Sequence, residues 1–258
     1  MGSDLRGATV LVSGGSRGIG AEIVRTLHGA GANVCFTYLQ AHVSADALAA
    51  ELGGERVAPV RCDNADPAAI EHLVAGLIER FGRLDTLVNN AAVYAENPFD
   101  GNDYAAWRAG WARTFAVNLF GVADLTFLAM REMRAAQPNA AGVRGRIVNV
   151  TSRAVHRGEL AFPDYGASKA ALANLTKSIA RACAADGIVA FSVAPGYIET
   201  DMAAEAIARD GAAIRAEIPA GRIGTPADVA KIVTFLASGA ADYATGTTID
   251  VNGASYVR

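Results

Sequence analysis

Short β-branched apolar runs alternate along this chain with longer Ala-rich stretches of helical period, and that alternation restricts the fold more than any other feature. The runs Thr9–Ser13, Asn33–Tyr38, Val57–Arg61, Leu84–Asn89, Gly145–Thr151, Ile188–Ala194 and Thr247–Val251 read as strands. A strand that returns beside its predecessor through a helix must pair in parallel, so repeated βαβ units predict one parallel sheet. The expected fold class is α/β: a single-domain, doubly wound, seven-stranded parallel sheet with helices on both faces. No linker, low-complexity tract or change of composition divides the 258 residues. Residues 1–258 therefore read as one domain.

The first strand–helix junction carries the strongest chemical signal. Val10-Leu11-Val12 runs into Ser13-Gly14-Gly15-Ser16-Arg17-Gly18-Ile19-Gly20, and a helical segment from Ala21 to Leu27 follows. Glycines at 14, 18 and 20 let the backbone turn tightly and approach a ligand, while the helix start presents N–H groups and a positive dipole end to phosphate. A dinucleotide pyrophosphate fits there, on a loop spaced GxxxGxG and longer than the commoner GxGxxG turn. The second strand ends Tyr38-Leu39-Gln40, without the acid that usually accepts from an NAD ribose. Arg17, inside the loop, could instead pair with a 2′-phosphate, so NADPH/NADP is expected ahead of NADH.

Other candidates fall at the carboxyl ends of later strands, the edge where open parallel sheets bind ligands. Asp63 and Asn64 close the third strand, and Asn90, Ala91 and Ala92 follow the fourth. Asp63 could accept from an adenine amine, although turn chemistry also accounts for an Asp-Asn pair. Thr151 and Ser152 end the fifth strand. Thirteen residues on, Tyr165 and Lys169 stand four apart in the Ala-rich segment Asp164–Ser178, which places a phenol and an ammonium on one helix face. A free tyrosine phenol loses its proton only at a pH of about 10, and a cation beside it would bring that value toward the working range of an acid–base catalyst. The Ser152 hydroxyl could reach the same carbonyl oxygen, or simply form a strand-end turn. Asn118 lies inside a helical pattern running from Trp107 to Met133, where an amide competes for backbone hydrogen bonds. It either satisfies a buried hydrogen bond or kink, or holds a water beside Lys169.

Composition narrows the class of partner. A formal net charge of −3 argues against nucleic acid or an anionic membrane surface. Cys35, Cys62 and Cys183 are odd in number and scattered, with no CxxC spacing or His cluster, so buried reduced thiols and no metal site are expected, in a cytoplasmic setting. The N-terminal residues carry no basic segment followed by a long apolar run, so neither a signal peptide nor a membrane span is expected.

From about residue 6 onward the segments SGGSRGIG, CDN, NNAA, VNLFG, NVTS, YGASK and VAPGYIETDM occur in order, followed by IPAGRIGTPADVA and TGTTIDVNGA. Together they resemble the short-chain dehydrogenase/reductase family, and most of all its 3-oxoacyl-acyl-carrier-protein reductases and glucose dehydrogenases. The resemblance implies a Rossmann fold and hydride transfer between nicotinamide and a small-molecule carbonyl or secondary alcohol. By the same resemblance Tyr165 is the general acid–base, Lys169 lowers its pKa and binds the nicotinamide ribose, Ser152 polarises the carbonyl, and Asn118 keeps a relay water. Pro195, Gly196, Ile198 and Thr200 match the segment that packs on the nicotinamide. A homotetramer through helices Thr114–Ala136 and Asp164–Ala185 is also implied. The substrate pocket is expected among Tyr94–Phe99, Arg153–Phe162 and a mobile loop from about Ala203 to Glu217. Reduction of a ketone such as a 3-oxoacyl thioester leads the reading. Oxidation of a sugar, polyol or other secondary alcohol, and a non-catalytic dinucleotide sensor or scaffold, stay open.

This sequence departs from the family pattern at a few points. Ala92 replaces a usual Gly, extra residues including Trp107 lie between Pro98 and Trp111, and Asn252-Gly253-Ala254 stands in place of a more frequent Gly-Gly ending.

Overall fold

The computed structural model describes residues 4–101 and 103–257. Seven strands form one parallel sheet: β1 Thr9–Val12, β2 Asn33–Tyr38, β3 Val57–Arg61, β4 Thr86–Asn89, β5 Gly145–Val150, β6 Ile188–Pro195 and β7 Thr248–Val251. Their spatial order is β3-β2-β1-β4-β5-β6-β7. The helices that return the chain are α1 Gly18–Gly29, α2 His42–Leu52, α3 Pro67–Phe81, α4 Tyr104–Phe115, α5 Gly121–Ala135, α6 Pro163–Cys183, α7 Asp201–Ala216 and α8 Pro226–Ala237. The expected α/β, doubly wound, seven-stranded parallel sheet is thus what the chain forms.

Alternation along each strand divides the core in two. In β1, Val10 and Val12 join a cluster with Ile23 and Leu27 of α1, Phe36 of β2 and Val233 of α8. Leu11 points the other way, into a cluster with Leu73 of α3, Leu125 of α5 and Ile147 of β5. Residues on both faces of a strand are therefore buried, as a sheet covered by helices on both sides requires. Local chemistry fixes the helix ends. Asp66 caps α3 by accepting from the Ala68 and Ala69 N–H groups, with Pro67 at its first position and the left-handed Gly82 at its end. Thr225 and Asp228 form a reciprocal capping box on α8.

Strand order reverses between β1 and β4. Chains leaving their carboxyl ends diverge there and open a crevice. The expected boundaries hold to within a residue, except that the fourth strand begins at Thr86 and not at Leu84. The Asp85 carboxylate accepts the Thr9 N–H at 2.8 Å, so that bond comes from the side chain.

Two expectations about irregular segments are corrected. The helix expected over Thr114–Ala136 is not one α-helix: residues Ala116–Phe120 form a π turn that joins α4 to α5. The Ala203–Glu217 segment, expected as a loop, is mostly the helix α7, kinked at Asp210 (φ −126°, ψ 18°). Its Ala-rich composition and basic last turn suit a helix. The run Tyr104–Ala135 is long and apolar enough to cross a membrane by length and composition. It packs on α3 and α6, which accounts for its buried side, while Phe120 and Phe127 stay exposed.

Candidate active site

The glycine turn after β1 is tied to both neighbouring strands. The Gly14 N–H donates to Thr37 Oγ1 at 3.0 Å and the Gly15 N–H to the Thr37 carbonyl at 2.8 Å, which fastens the turn to β2. On the β4 side, Ser13 Oγ accepts the Asn90 and Ala91 N–H groups at 3.0 and 3.1 Å. Asn90 Nδ2 in turn donates to the Ser13 and Gly14 carbonyls at 3.1 and 2.9 Å. Gly14 has φ +66°, and a methyl group there would lie 2.8 Å from Ala91 Cα. A methyl group on Gly20 would collide with the Gly14 carbonyl oxygen. The turn can therefore take this shape only without side chains at these positions. Arg17 precedes α1 without capping it, so the helix start is left to the cleft, as an anion site requires.

A cleft of about 690 Å³ runs from this turn across the switch edge. Each residue that the sequence assigns to a dinucleotide lines it, from Gly14 and Arg17 through Tyr38, Asp63 and Asn90–Ala92 to Pro195, Ile198 and Thr200. At the end of β2 its wall is Tyr38, Leu39, Gln40 and Ala41, with no carboxylate. Arg17 is exposed at the rim and forms no ion pair among the described residues. Asp63 also accepts the Ala65 N–H at 2.9 Å, so the turn role weighed for it is present as well. These groups fit a dinucleotide: a side-chain-free turn at a helix start, with a cation, Arg17, within the turn.

Ser152, Tyr165 and Lys169 line the same cleft. The start of α6 is anchored by the buried Asp164, whose carboxylate accepts Thr114 Oγ1 at 2.7 Å and Asn97 Nδ2 at 3.3 Å. One turn on, Lys169 reaches under the sheet edge and its Nζ donates to the Val150 carbonyl at 2.8 Å. That places Nζ 5.8 Å from the centre of the Tyr165 ring. Burial pushes the Tyr165 phenol up to about 12; the Ser152 hydroxyl pulls the other way, and the Glu159 charge adds to the rise. Burial also lowers the Lys169 amine to about 8. The expected lowering of the phenol by Lys169 is therefore not found here, because desolvation outweighs a cation that is directed at a backbone carbonyl. A phenol in this state is a proton donor across the neutral range.

Asn118 does not line the cleft. It is fully buried in the π turn, where Oδ1 accepts the Val93 N–H at 2.7 Å. Its Nδ2 donates to the Val93 carbonyl at 3.0 Å and to Ser168 Oγ at 3.1 Å. Ser168 Oγ donates onward to the Tyr165 carbonyl at 2.8 Å. The side chain thus spends its amide on the strand-end loop and on α6, which is the buried hydrogen-bonding role weighed for it from the sequence. The extra residue of the π turn aims it there.

Tyr94 and Phe162 were expected in the substrate pocket, but their contact with Tyr165 and several polar partners of the site were not singled out from the sequence. Tyr94 stacks on Phe162 at 3.9 Å and meets Tyr165 edge-on at 4.8 Å, which fixes the ring of the phenol. Ser13 and Thr37 shape the glycine turn, and Asn89 Nδ2 donates to Asn149 Oδ1 at 2.8 Å between β4 and β5. Short polar residues at strand ends were the available signal, but their partners lie tens of residues away. His156 stacks on Tyr256 with ring centres 5.3 Å apart. The three cysteines are buried and free, as expected.

A family model described as enoyl-(acyl carrier protein) reductase matches residues 14–254. The chain belongs to the short-chain dehydrogenase/reductase family. It is 35% identical over 257 residues to the 3-oxoacyl-[acyl-carrier-protein] reductase FabG of Vibrio cholerae, covering 98% of this chain and 99% of that one. Identity to the FabG of Escherichia coli is 36% over 254 residues, with 98% and 99% covered. A crystal structure titled short-chain dehydrogenase/reductase SDR: glucose/ribitol dehydrogenase, from Brucella melitensis, superposes over the whole of both chains with a TM-score of 0.91 at 34% identity. As a short-chain dehydrogenase/reductase, the chain is an NAD(P)-dependent oxidoreductase of the carbonyl/alcohol type.

Proposed function

We propose that this short-chain dehydrogenase/reductase is an NADPH-dependent carbonyl reductase acting on a small to medium ketone of the kind a 3-oxoacyl group presents. The observation that carries the proposal is one cleft holding both a proton-donating phenol and a dinucleotide turn with an unpaired arginine at its rim. The cofactor, when bound, supplies the hydride, and the turn at Gly14–Gly20 would hold its pyrophosphate. Arg17 would pair with the 2′-phosphate, and Pro195, Gly196, Ile198 and Thr200 would pack on the nicotinamide end. Ser152 donates to the substrate carbonyl oxygen and holds it beside Tyr165. Tyr165 delivers its proton to that oxygen as the alcohol forms. Lys169 contributes positive charge below the phenol, and Asn118 holds Val93 and α6 so that the constellation keeps its geometry.

The reductive direction is supported by the likeness to the two FabG proteins, 3-oxoacyl reductases by their printed names. Oxidation of a polyol is the second reading, supported by the likeness to the Brucella protein and its printed title. A cytoplasmic homotetramer completes the proposal, with Phe120 of the π turn and Phe127 of α5 exposed and available for contact between copies.

Steady-state reduction of ketones with each cofactor tests the reading. NADPH should give the higher kcat/KM, and Arg17→Ala should lower the NADPH value about 10- to 100-fold while sparing NADH, the effect of one charge-assisted contact. Higher efficiency with NADH would overturn the cofactor assignment.

A further inference from the structure

Arg153 follows Ser152 directly, yet the proton transfer described above makes no use of it. The side chain lines the cleft, is only 5% exposed, and lies over the Tyr197 ring with its guanidinium carbon 4.2 Å from the ring centre. A buried guanidinium normally spends its five N–H groups on acceptors, because an unpaired charge away from water is strongly unfavourable. Here Nη1 is buried with no acceptor among the described residues. Nη2 has Glu217 Oε2 at 4.0 Å, beyond hydrogen-bonding range. That glutamate is 56% exposed and is also 4.0 Å from Arg157. Glu159 lines the cleft too, but forms no ion pair with Arg153 among the described residues.

We propose that Arg153 is the anion receptor of the substrate pocket, and that the ketone reduced here carries a carboxylate of its own. The carboxylate takes Nη1 and displaces the loosely held Glu217 from Nη2, forming the bidentate pair for which a planar guanidinium fork is suited. Stacking on Tyr197 holds the fork flat for that purpose. The inference rests on the ketone-reducing reading of the cleft and narrows its substrate. Its structural rival is a latch, in which Arg153 and Arg157 serve only to hold the end of α7 through Glu217.

The test is kcat/KM with NADPH for a series of 2-, 3- and 4-oxo acids beside their methyl esters. The wild-type enzyme should favour at least one acid over its ester. Arg153→Met should reduce that acid-to-ester ratio about 10- to 100-fold, the effect of losing a charge-assisted pair. Arg153→Lys should keep part of it. Glu217→Gln, a change at an exposed side chain, should raise the ratio by removing the competing carboxylate, and it decides the matter if Arg153→Met does not fold.

An acid and its ester falling together in the arginine variants, or a Glu217→Gln that lowers both, would establish the latch and overturn the proposal. So would a wild-type enzyme indifferent to the carboxylate. If no ketone of the series is reduced, the reductase reading fails. Calorimetric binding of the matching hydroxy acid and its methyl ester to the NADP-loaded protein then decides the role of Arg153 by itself: acid-selective binding lost in Arg153→Met and partly kept in Arg153→Lys supports it, and equal binding of acid and ester by the wild type overturns it.

Discussion

A lysine that is 2% exposed, with its amine lowered by burial from 10.5 to about 8, destabilises the fold it sits in. The sign follows from linkage: below about pH 8 both states hold the proton, and the folded state holds it at a penalty. As pH rises from about 8 to 10.5 the folded protein binds fewer protons than the unfolded one, so this contribution to stability improves over that window. At about 1.4 kcal/mol per unit the penalty at pH 7 is about 3 kcal/mol. Lys169→Met also leaves the Val150 carbonyl without its donor, at a cost of about 1 kcal/mol. The variant should therefore be inactive but melt about 5 °C higher at pH 7, with the gain shrinking toward pH 10.5, as read by thermal unfolding across pH. An unchanged or lower Tm at pH 7 would show that the amine is not held at a penalty. Asn118→Ala should act in the opposite direction. It strips the partners from the half-buried Val93 backbone groups and from the buried Ser168, and should lower stability by about 2–4 kcal/mol in denaturant titration.

The elements were legible wherever pattern is local. All seven strands could be read from their β-branched runs, and the glycine turn could be read because its spacing, its strand and its helix are contiguous. The π turn could not, since Ala116–Phe120 has the same helical composition as its flanks and differs only through what Asn118 reaches across the fold. Nor could the stacking of Tyr94 on Phe162, which joins segments separated by more than sixty positions. Arg17, Ser152, Tyr165 and Lys169 could be proposed from motif and spacing and line one cleft, whereas the raised phenol depends on burial, which no spacing encodes. The C-terminal departure from the family pattern has a physical consequence. Ala254 is the non-glycine residue with positive φ, at +66°, among the described residues, and it stands where a second glycine is more frequent. An L side chain in that region costs about 1–2 kcal/mol, partly offset by the greater freedom of glycine in the unfolded chain. Ala254→Gly should thus raise stability by about 0.5–1 kcal/mol, measured as a shift in denaturant midpoint at constant m-value. A lower midpoint would mean that the Ala254 methyl group makes contacts outweighing its strain.

At the scale of the molecule, the sheet brings together what the chain keeps far apart. The turn at residues 14–20 follows β1, Ser152 follows β5 and Tyr165 lies on α6, and all three meet because strand order reverses between β1 and β4. The proposed tetramer rests on the family resemblance, and light scattering at micromolar concentration should give four times the chain mass; a monomer would refute it. The central claim is that the cleft performs acid-assisted ketone reduction, and NADPH consumption by wild type and Tyr165→Phe against a ketone panel tests it most directly. Losing the phenolic proton removes one general acid, so kcat should fall about 10²- to 10⁴-fold while NADPH affinity, measured by fluorescence, stays within a few-fold of wild type. Turnover by Tyr165→Phe at the wild-type rate, for any ketone the enzyme accepts, would contradict the account.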